Sequence, residues 1–289
     1  MASTGWSRTQ RDVFAFGLST TAVEDSAMSD LIKVESRIRG SRKYRDLHPS
    51  VVRRQIAELS GRYRAAKDLE QAVRKKLHQA FGAYLDGNWQ RKFKTELSGI
   101  DPTDEQSVLL GSRKLMGLHA STRERAGILA DFAELVADVV PDGGMVLDIA
   151  CGMNALSLPT IRRSRSFRYT GIDLHRGMLD QMTTFAETVQ VEAEFLWDDV
   201  VAVPFPQADV VLALKLLSCL EHQQEGAGLD LIRRLNADQI IVSYPTRTLG
   251  GSDVGMETNY LMQIERLASE AGRSLEAYTT DTEAFYVMK

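Results

Sequence analysis

The chain has 289 residues, 44% of them hydrophobic and 26% charged, with a net charge of −4. That composition suits a globular protein with room for one large domain and one smaller one. No apolar run approaches the ~20 residues needed to span a membrane. The first residues lack the basic-then-apolar layout of a secretory signal, so a cytoplasmic protein without membrane association is expected.

The net charge conceals a split. Residues 33–94 carry 17 Lys and Arg against 6 Asp and Glu, whereas the remainder carries 18 against 33. So concentrated a positive excess favours a polyanionic partner over a merely solvated helical face. The only cysteines are Cys151 and Cys219. They read as small reduced buried residues rather than as metal ligands, and no metal site is expected.

In chain order, residues 1–30 are rich in Ser, Thr and Ala without a sustained period, and predict a mobile extension. Residues 31–84 predict a helical module. Its basic turn, Ser41 to Pro49, contains Arg42, Lys43 and Arg45, and Pro49 suits the first position of a new helix. That helix runs from Ser50 to about Tyr63, with Val52, Ile56 and Leu59 on one face and Arg53 and Arg54 beside them. A longer helix from about Ala66 repeats Leu69, Val73, Leu77, Phe81 and Tyr84 at helical spacing. Arg74, Lys75 and Lys76 flank that stripe, so the module combines a packing face with a face for phosphates. Residues 87–112 read as a polar, irregular hinge, which divides the chain into a helical domain at 31–111 and a second domain at 112–289.

Ser121 followed by Glu124 forms a capping box for a helix reaching about Val140. Arg125 in its first turn is either part of that cap alone or a bidentate partner for a ligand carboxylate; spacing leaves both open. Met145 to Asn154 is an apolar β-branched run that ends on Asp148 and passes through Cys151 into Gly152. A buried parallel strand delivers its carboxyl end to a helix in this way. The dinucleotide fingerprint G-x-G-x-x-G is absent, and an acid beside the loop disfavours a pyrophosphate. A ligand with a cationic centre and an ammonium group fits better, as in S-adenosylmethionine. The next strand, 168–173, ends on Asp173, placed to accept from ribose hydroxyls. A third strand, 194–197, runs into Asp198 and Asp199, placed to accept from an adenine amino group. Any one of these acids alone is an ordinary turn former, but three at successive strand ends are the pattern of a nucleoside-binding methyltransferase.

Further strands at 208–214 and 239–244, with helices at 178–189 and 224–235 between them, predict an α/β fold with a mostly parallel sheet covered on both faces. The segments 274–279 and 283–288 predict an antiparallel pair at one end. After Leu214, Lys215 occupies the place where amino-group methyltransferases usually carry an acid or amide with Pro-Pro and an aromatic. A ring nitrogen that already owns a lone pair needs no general base. Lys215 could instead pair with Glu221 or Asp199.

These blocks resemble the aminoglycoside-resistance 16S rRNA guanine-N7 methyltransferases, the producers' enzymes and the Arm/Rmt group. The matching residues are Lys43-Tyr44-Arg45 with Pro49, Lys76-Leu77-His78, Leu118-His119-Ala120-Ser121-Thr122 with Glu124-Arg125, and Asp148 to Gly152. They continue with Lys215-Leu216-Leu217, Leu220-Glu221, Pro245-Thr246-Arg247 and Gly255-Met256-Glu257. The resemblance implies a class I S-adenosylmethionine-dependent methyltransferase domain (Rossmann-like), preceded by a small helical RNA-docking domain. Its partner would be the decoding-site helix of 16S rRNA within the 30S ribosomal subunit, and the protein would act as a monomer. It implies a methionine carboxylate held by Arg125, with His119, Ala120 and Ser121 nearby. Ala150 and Gly152 would line the loop, Asp173 and Leu174 the ribose, and Asp198 and Asp199 the adenine. Leu214, Lys215 and Gln223 would complete the pocket, with Phe81 added from the helical module. The RNA face would use Arg42, Lys43, Arg45, Arg53, Arg54, Arg74, Lys75, Lys76 and Arg247. Two departures stand out, Ala155 and Ser218, where the family usually has Pro. A small-molecule methyltransferase would leave the basic module idle, and a non-catalytic RNA-binding protein would have no need of Asp173 or Arg125.

Overall fold

The computed structural model of the chain describes residues 22–81, 88–221, 226–246 and 256–289. Its centre is a sheet of seven strands: β1 (Gly144–Ile149), β2 (Phe167–Asp173), β3 (Glu194–Trp197), β4 (Ala208–Leu214), β5 (Ala237–Pro245), β6 (Leu275–Thr279) and β7 (Glu283–Met288). The spatial order is β3-β2-β1-β4-β5-β7-β6. The first five strands run parallel, and β7 inserts antiparallel between β5 and β6. The order reverses between β1 and β4, so the carboxyl ends of those strands open a crevice, the usual ligand site of such sheets. The expected strands at 194–197 and 208–214 and the terminal antiparallel pair all form.

Both faces of the central strands are buried, which explains their continuous apolar runs. One face packs against α4 (Trp89–Leu97), α5 (Glu105–Met116), α7 (Leu129–Val139), α8 (Leu158–Ile161) and α9 (Arg176–Thr188). The other packs against α10 (Leu217–Glu221), α11 (Ala227–Arg234) and α12 (Met256–Glu270). A separate cluster holds α1 (Ala22–Arg39), α2 (Pro49–Ser60) and α3 (Ala66–Phe81) together through Val34, Ile38, Val52, Ile56, Leu69, Val73 and Leu77. Pro49 opens α2, as its fixed φ favours.

Three local expectations are corrected. Residues 22–30, read as part of a mobile extension, lie in the first turns of α1; residues 1–21 lie outside the described residues. The stretch read as an irregular hinge contains α4 and α5, and Trp89, Phe93 and Leu97 are buried against the sheet's helical layer. Their i, i+4, i+8 spacing supplies an apolar stripe despite Gln90, Arg91, Lys92 and Lys94 around it. The helix expected from Ser121 to Val140 is broken. It consists of α6 (Ala120–Arg125), a 3-10 turn at Ala126–Ile128, and α7. His119, not Ser121, occupies the cap position, and no side chain caps it.

Candidate active site

The carboxyl ends of β1, β2 and β4 converge on one cleft. Its lining includes His119, Ser121, Ala150, Gly152, Asp173, Leu174, Asp199, Leu214 and Lys215. All of these stand among the expected cofactor residues. Ala120 is buried outside the lining, and Asp198 instead accepts from the Asp199 amide at 2.7 Å. Gln223 and Arg247 lie outside the described residues, as does the Phe81 side chain. The cleft also has an apolar wall that sequence reasoning missed: Leu47, Met178, Val200, Val201, Leu216 and Leu220, with His175 and Cys219 at its edges. A signal for His175 existed, because it follows the strand-ending Asp173 and opens α9, where loops at strand carboxyl ends line the crevice.

The backbone is bent to form this cleft. Ala150 and Lys215, one residue past β1 and β4, have φ of +54° and +56°. Left-handed geometry in non-glycine residues costs on the order of 1–3 kcal/mol and persists where packing over-determines it. Gly152 adopts φ +54°, and a Cβ there would sit 3.5 Å from the His119 ring. Its amide donates to Asp173 Oδ2 at 2.9 Å, while the His175 amide donates to Oδ1 at 2.9 Å. Two backbone donors therefore fix the Asp173 carboxylate at the cleft wall, and each oxygen has a further lone pair for a ligand hydroxyl. Burial nonetheless pushes the Asp173 pKa upward. His119 is held to about 4 by burial and by the Arg125 and Lys215 cations, so it is neutral near pH 7.

Beneath the cleft runs a buried polar chain. Tyr169 Oη and Asn154 Nδ2 each donate to Asp148 Oδ2 at 2.7 Å. Asn154 Oδ1 accepts from Arg125 Nη1 at 2.8 Å. The Arg125 guanidinium then forks onto Glu283 at 2.5 and 3.2 Å. Ser243 Oγ donates to the same carboxylate at 2.5 Å. Lys215 Nζ lies 3.5 Å from Glu283 and hydrogen-bonds Glu124.

Three expectations change here. Asp148, read as facing a cationic ligand, is 1% exposed and orients Asn154 instead. Burial pushes its pKa to about 6, while the Tyr169 and Asn154 bonds resist. Arg125, expected to meet a ligand carboxylate, is 2% exposed, does not line the cleft, and is held by Glu283 and Asn154. Lys215 pairs with Glu124 and Glu283 rather than with Glu221 or Asp199.

The basic residues of the helical module divide as well. Arg53, Arg54, Arg74 and Lys76 were expected to face RNA, but each is paired with an acid of the protein: Glu35, Asp199, Glu70 and, at the surface, Glu58 respectively. Glu35 and Asp199 are buried and need a cation beside them, Glu70 is partly buried, and Glu58 is exposed. Arg42, Lys43, Arg45 and Lys75 are exposed, with Lys43 Nζ 2.9 Å from His78 Nδ1. Among the described residues no cluster of His, Cys, Asp or Glu is placed to hold a metal ion, and no helix is long and apolar enough to cross a membrane.

A sheet of this order, with its antiparallel β7 and a cleft over acid-ended parallel strands, defines a class I S-adenosylmethionine-dependent methyltransferase fold. Within that class, residues 40–287 match the family model described as ribosomal RNA methyltransferase (FmrO), and the chain belongs to that family. A 16S rRNA (guanine(1405)-N(7))-methyltransferase of Serratia marcescens is 35% identical over 253 residues, covering 87% of this chain and 95% of the relative. The enzyme of the same name from Micromonospora echinospora is 31% identical, covering 94% and 100%. Among solved structures, 16S rRNA methyltransferase RmtF in complex with S-adenosyl-L-homocysteine superposes with a TM-score of 0.78. It is 30% identical, with 94% of this chain and 99% of that chain covered.

Proposed function

We propose that this protein is a 16S rRNA (guanine(1405)-N(7))-methyltransferase of the aminoglycoside-resistance type, acting in the cytoplasm on the 30S subunit. The observation that carries the reading is the Asp173 carboxylate, fixed by two backbone amides at the rim of an apolar slot over β1 and β4. That arrangement fits an adenosine. Asp173 has lone pairs for the ribose hydroxyls, and Leu174, Met178, Val200 and Leu220 offer apolar surface for the base. The Gly152 turn and the Ser121 region would take the methionine end. S-adenosylmethionine supplies, when bound there, a methyl group activated by its sulfonium.

The protein's own part is positioning. A guanine extruded from its helix would be held with N7 in line with that methyl group. N7 attacks with its own lone pair, forming the N–C bond as the C–S bond breaks, and no side chain removes a proton. His119 is neutral near pH 7 and adds no positive charge near the cationic methyl donor. Arg125 acts as a positioning residue for the loop through Asn154, with its charge balanced by Glu283.

In this reading α1–α3 form the docking module, which ends before Trp89, since α4 and α5 pack with the sheet. Arg42, Lys43, Arg45 and Lys75 present the solvent-facing charge for phosphates. The test is methyl transfer from labelled S-adenosylmethionine to 30S subunits and to free 16S rRNA. Incorporation into 30S subunits with little into free rRNA is expected. Cofactor binding without incorporation into either would overturn the reading in favour of a small-molecule acceptor.

A further inference from the structure

The helical module does more than flank the cleft; it supplies part of the wall. Leu47 and Arg54 line the cleft from α2 and the turn before it. The backbone of that turn is stitched to the loop after β2: the His48 amide donates to the Leu174 carbonyl and the Arg176 amide to the Asp46 carbonyl, both at 2.8 Å. The decisive contact is made by Asp199, which is fully buried and, among the described residues, takes its side-chain hydrogen-bond donors from the module. Arg54 Nη1 and Ser50 Oγ both donate to its Oδ2, at 2.5 and 2.6 Å, while Oδ1 takes the Val201 amide at 3.0 Å.

A buried carboxylate needs its cation, and here the cation comes from α2, whose apolar residues pack in the separate cluster of the module. Asp199 and Arg54 also face the same space that an adenosine would fill. A ligand there packs beside this pair, so its seat is built jointly by the module and the sheet domain.

We infer that Arg54 and Ser50 are positioning residues that couple cofactor occupancy to docking of the substrate. The module is held through Asp199 in the orientation that binds the 30S subunit, and filling the cleft narrows it to that orientation. This inference rests on the cofactor and substrate reading above. Coupling of this kind is reciprocal: the factor by which one ligand tightens the other must be the same in both directions.

The experiment measures affinity of the full chain for S-adenosylhomocysteine with and without 30S subunits, and for 30S subunits with and without S-adenosylhomocysteine. The wild-type chain should show equal tightening in both directions, about 5-fold or more. Arg54→Gln should bring the factor close to one, and Ser50→Ala should reduce it partway. If Arg54→Gln fails to fold, Ser50→Ala decides, because it keeps the charge pair and removes one bond to the same oxygen. A wild-type factor of one, or an undiminished factor in the folded variants, overturns the inference. Loss of either binding by the wild-type chain would fall on the underlying reading instead, so the two failures are distinguishable.

Discussion

Arg125 and Lys75 are both helical cations, yet Arg125 is 2% exposed and forked onto Glu283 while Lys75 projects into solvent from α3. The contrast extends to their neighbourhoods. Under the cleft, Tyr169, Asp148, Asn154, Arg125, Glu283 and Lys215 hold one another in fixed positions. Around α1–α3, Arg42, Arg45 and Lys75 keep their charges in water. The first arrangement costs desolvation and gives geometry; the second costs little and gives long-range attraction. A cleft that must hold reacting atoms in line needs the first, and a surface that must find a polyanion needs the second.

The interior should break hardest. Glu283→Ala strands the Arg125 cation beneath the cleft, while Lys215 keeps Glu124, and should destabilise the fold by about 3–5 kcal/mol in chemical denaturation. Little salt dependence is expected, because buried pairs are weakly screened. Next comes Asp173→Ala. It removes the acceptor for the Gly152 and His175 amides and the proposed ribose contacts, so calorimetry should show cofactor affinity falling roughly 100-fold or more, with 30S binding largely kept.

A subtler effect concerns pH. Asp148 titrates near 6 when folded, above its ordinary carboxylate value. The folded state therefore binds the proton more tightly, and the stabilisation from that proton is fully present below the ordinary value of 3.8 and lost as pH rises through about 6. His119 behaves oppositely: the stabilisation from its neutral form is present above about 6.5 and lost as pH falls through about 4. The two slopes oppose each other across pH 4–6. Asp148→Asn removes one of them, so its stability relative to wild type should rise by about 2–3 kcal/mol from pH 4 to 6.5. A constant difference between the two denaturation profiles would contradict the assignment.

The smallest change in stability, within about 0.5 kcal/mol, is expected for Arg42→Ala, Arg45→Ala and Lys75→Ala combined. Its binding to 30S subunits should nonetheless weaken and depend less steeply on salt, by roughly one unit of log–log slope for each phosphate contact removed.

The same contrast marks what sequence could reveal. Strand ends were legible because buried parallel strands are short apolar runs, and a strand-ending acid such as Asp173 stands out against them. The Gly152 turn was legible for the same reason. The pairings were not. Arg125 meets Glu283 only because β7 inserts antiparallel beside β5, and Arg54 meets Asp199 only because α2 seats on the loop after β3. Local spacing holds no record of contacts made across such distances in the chain. The charge of residues 33–94 was visible as a sum, but the division between cations facing water and cations satisfying buried acids appears only when helices α1–α3 are packed. In α4, polar residues around Trp89, Phe93 and Leu97 obscured a stripe that was present.

The most direct test of the account is the position of the methyl group. After reaction of 30S subunits with S-adenosylmethionine, mass spectrometry of nuclease fragments of 16S rRNA should find one added methyl, on N7 of guanine 1405 in the decoding site, the position in the relatives' name. A methyl group on an exocyclic amine, on ribose or on another nucleotide would contradict it, because the cleft would then be serving a different acceptor.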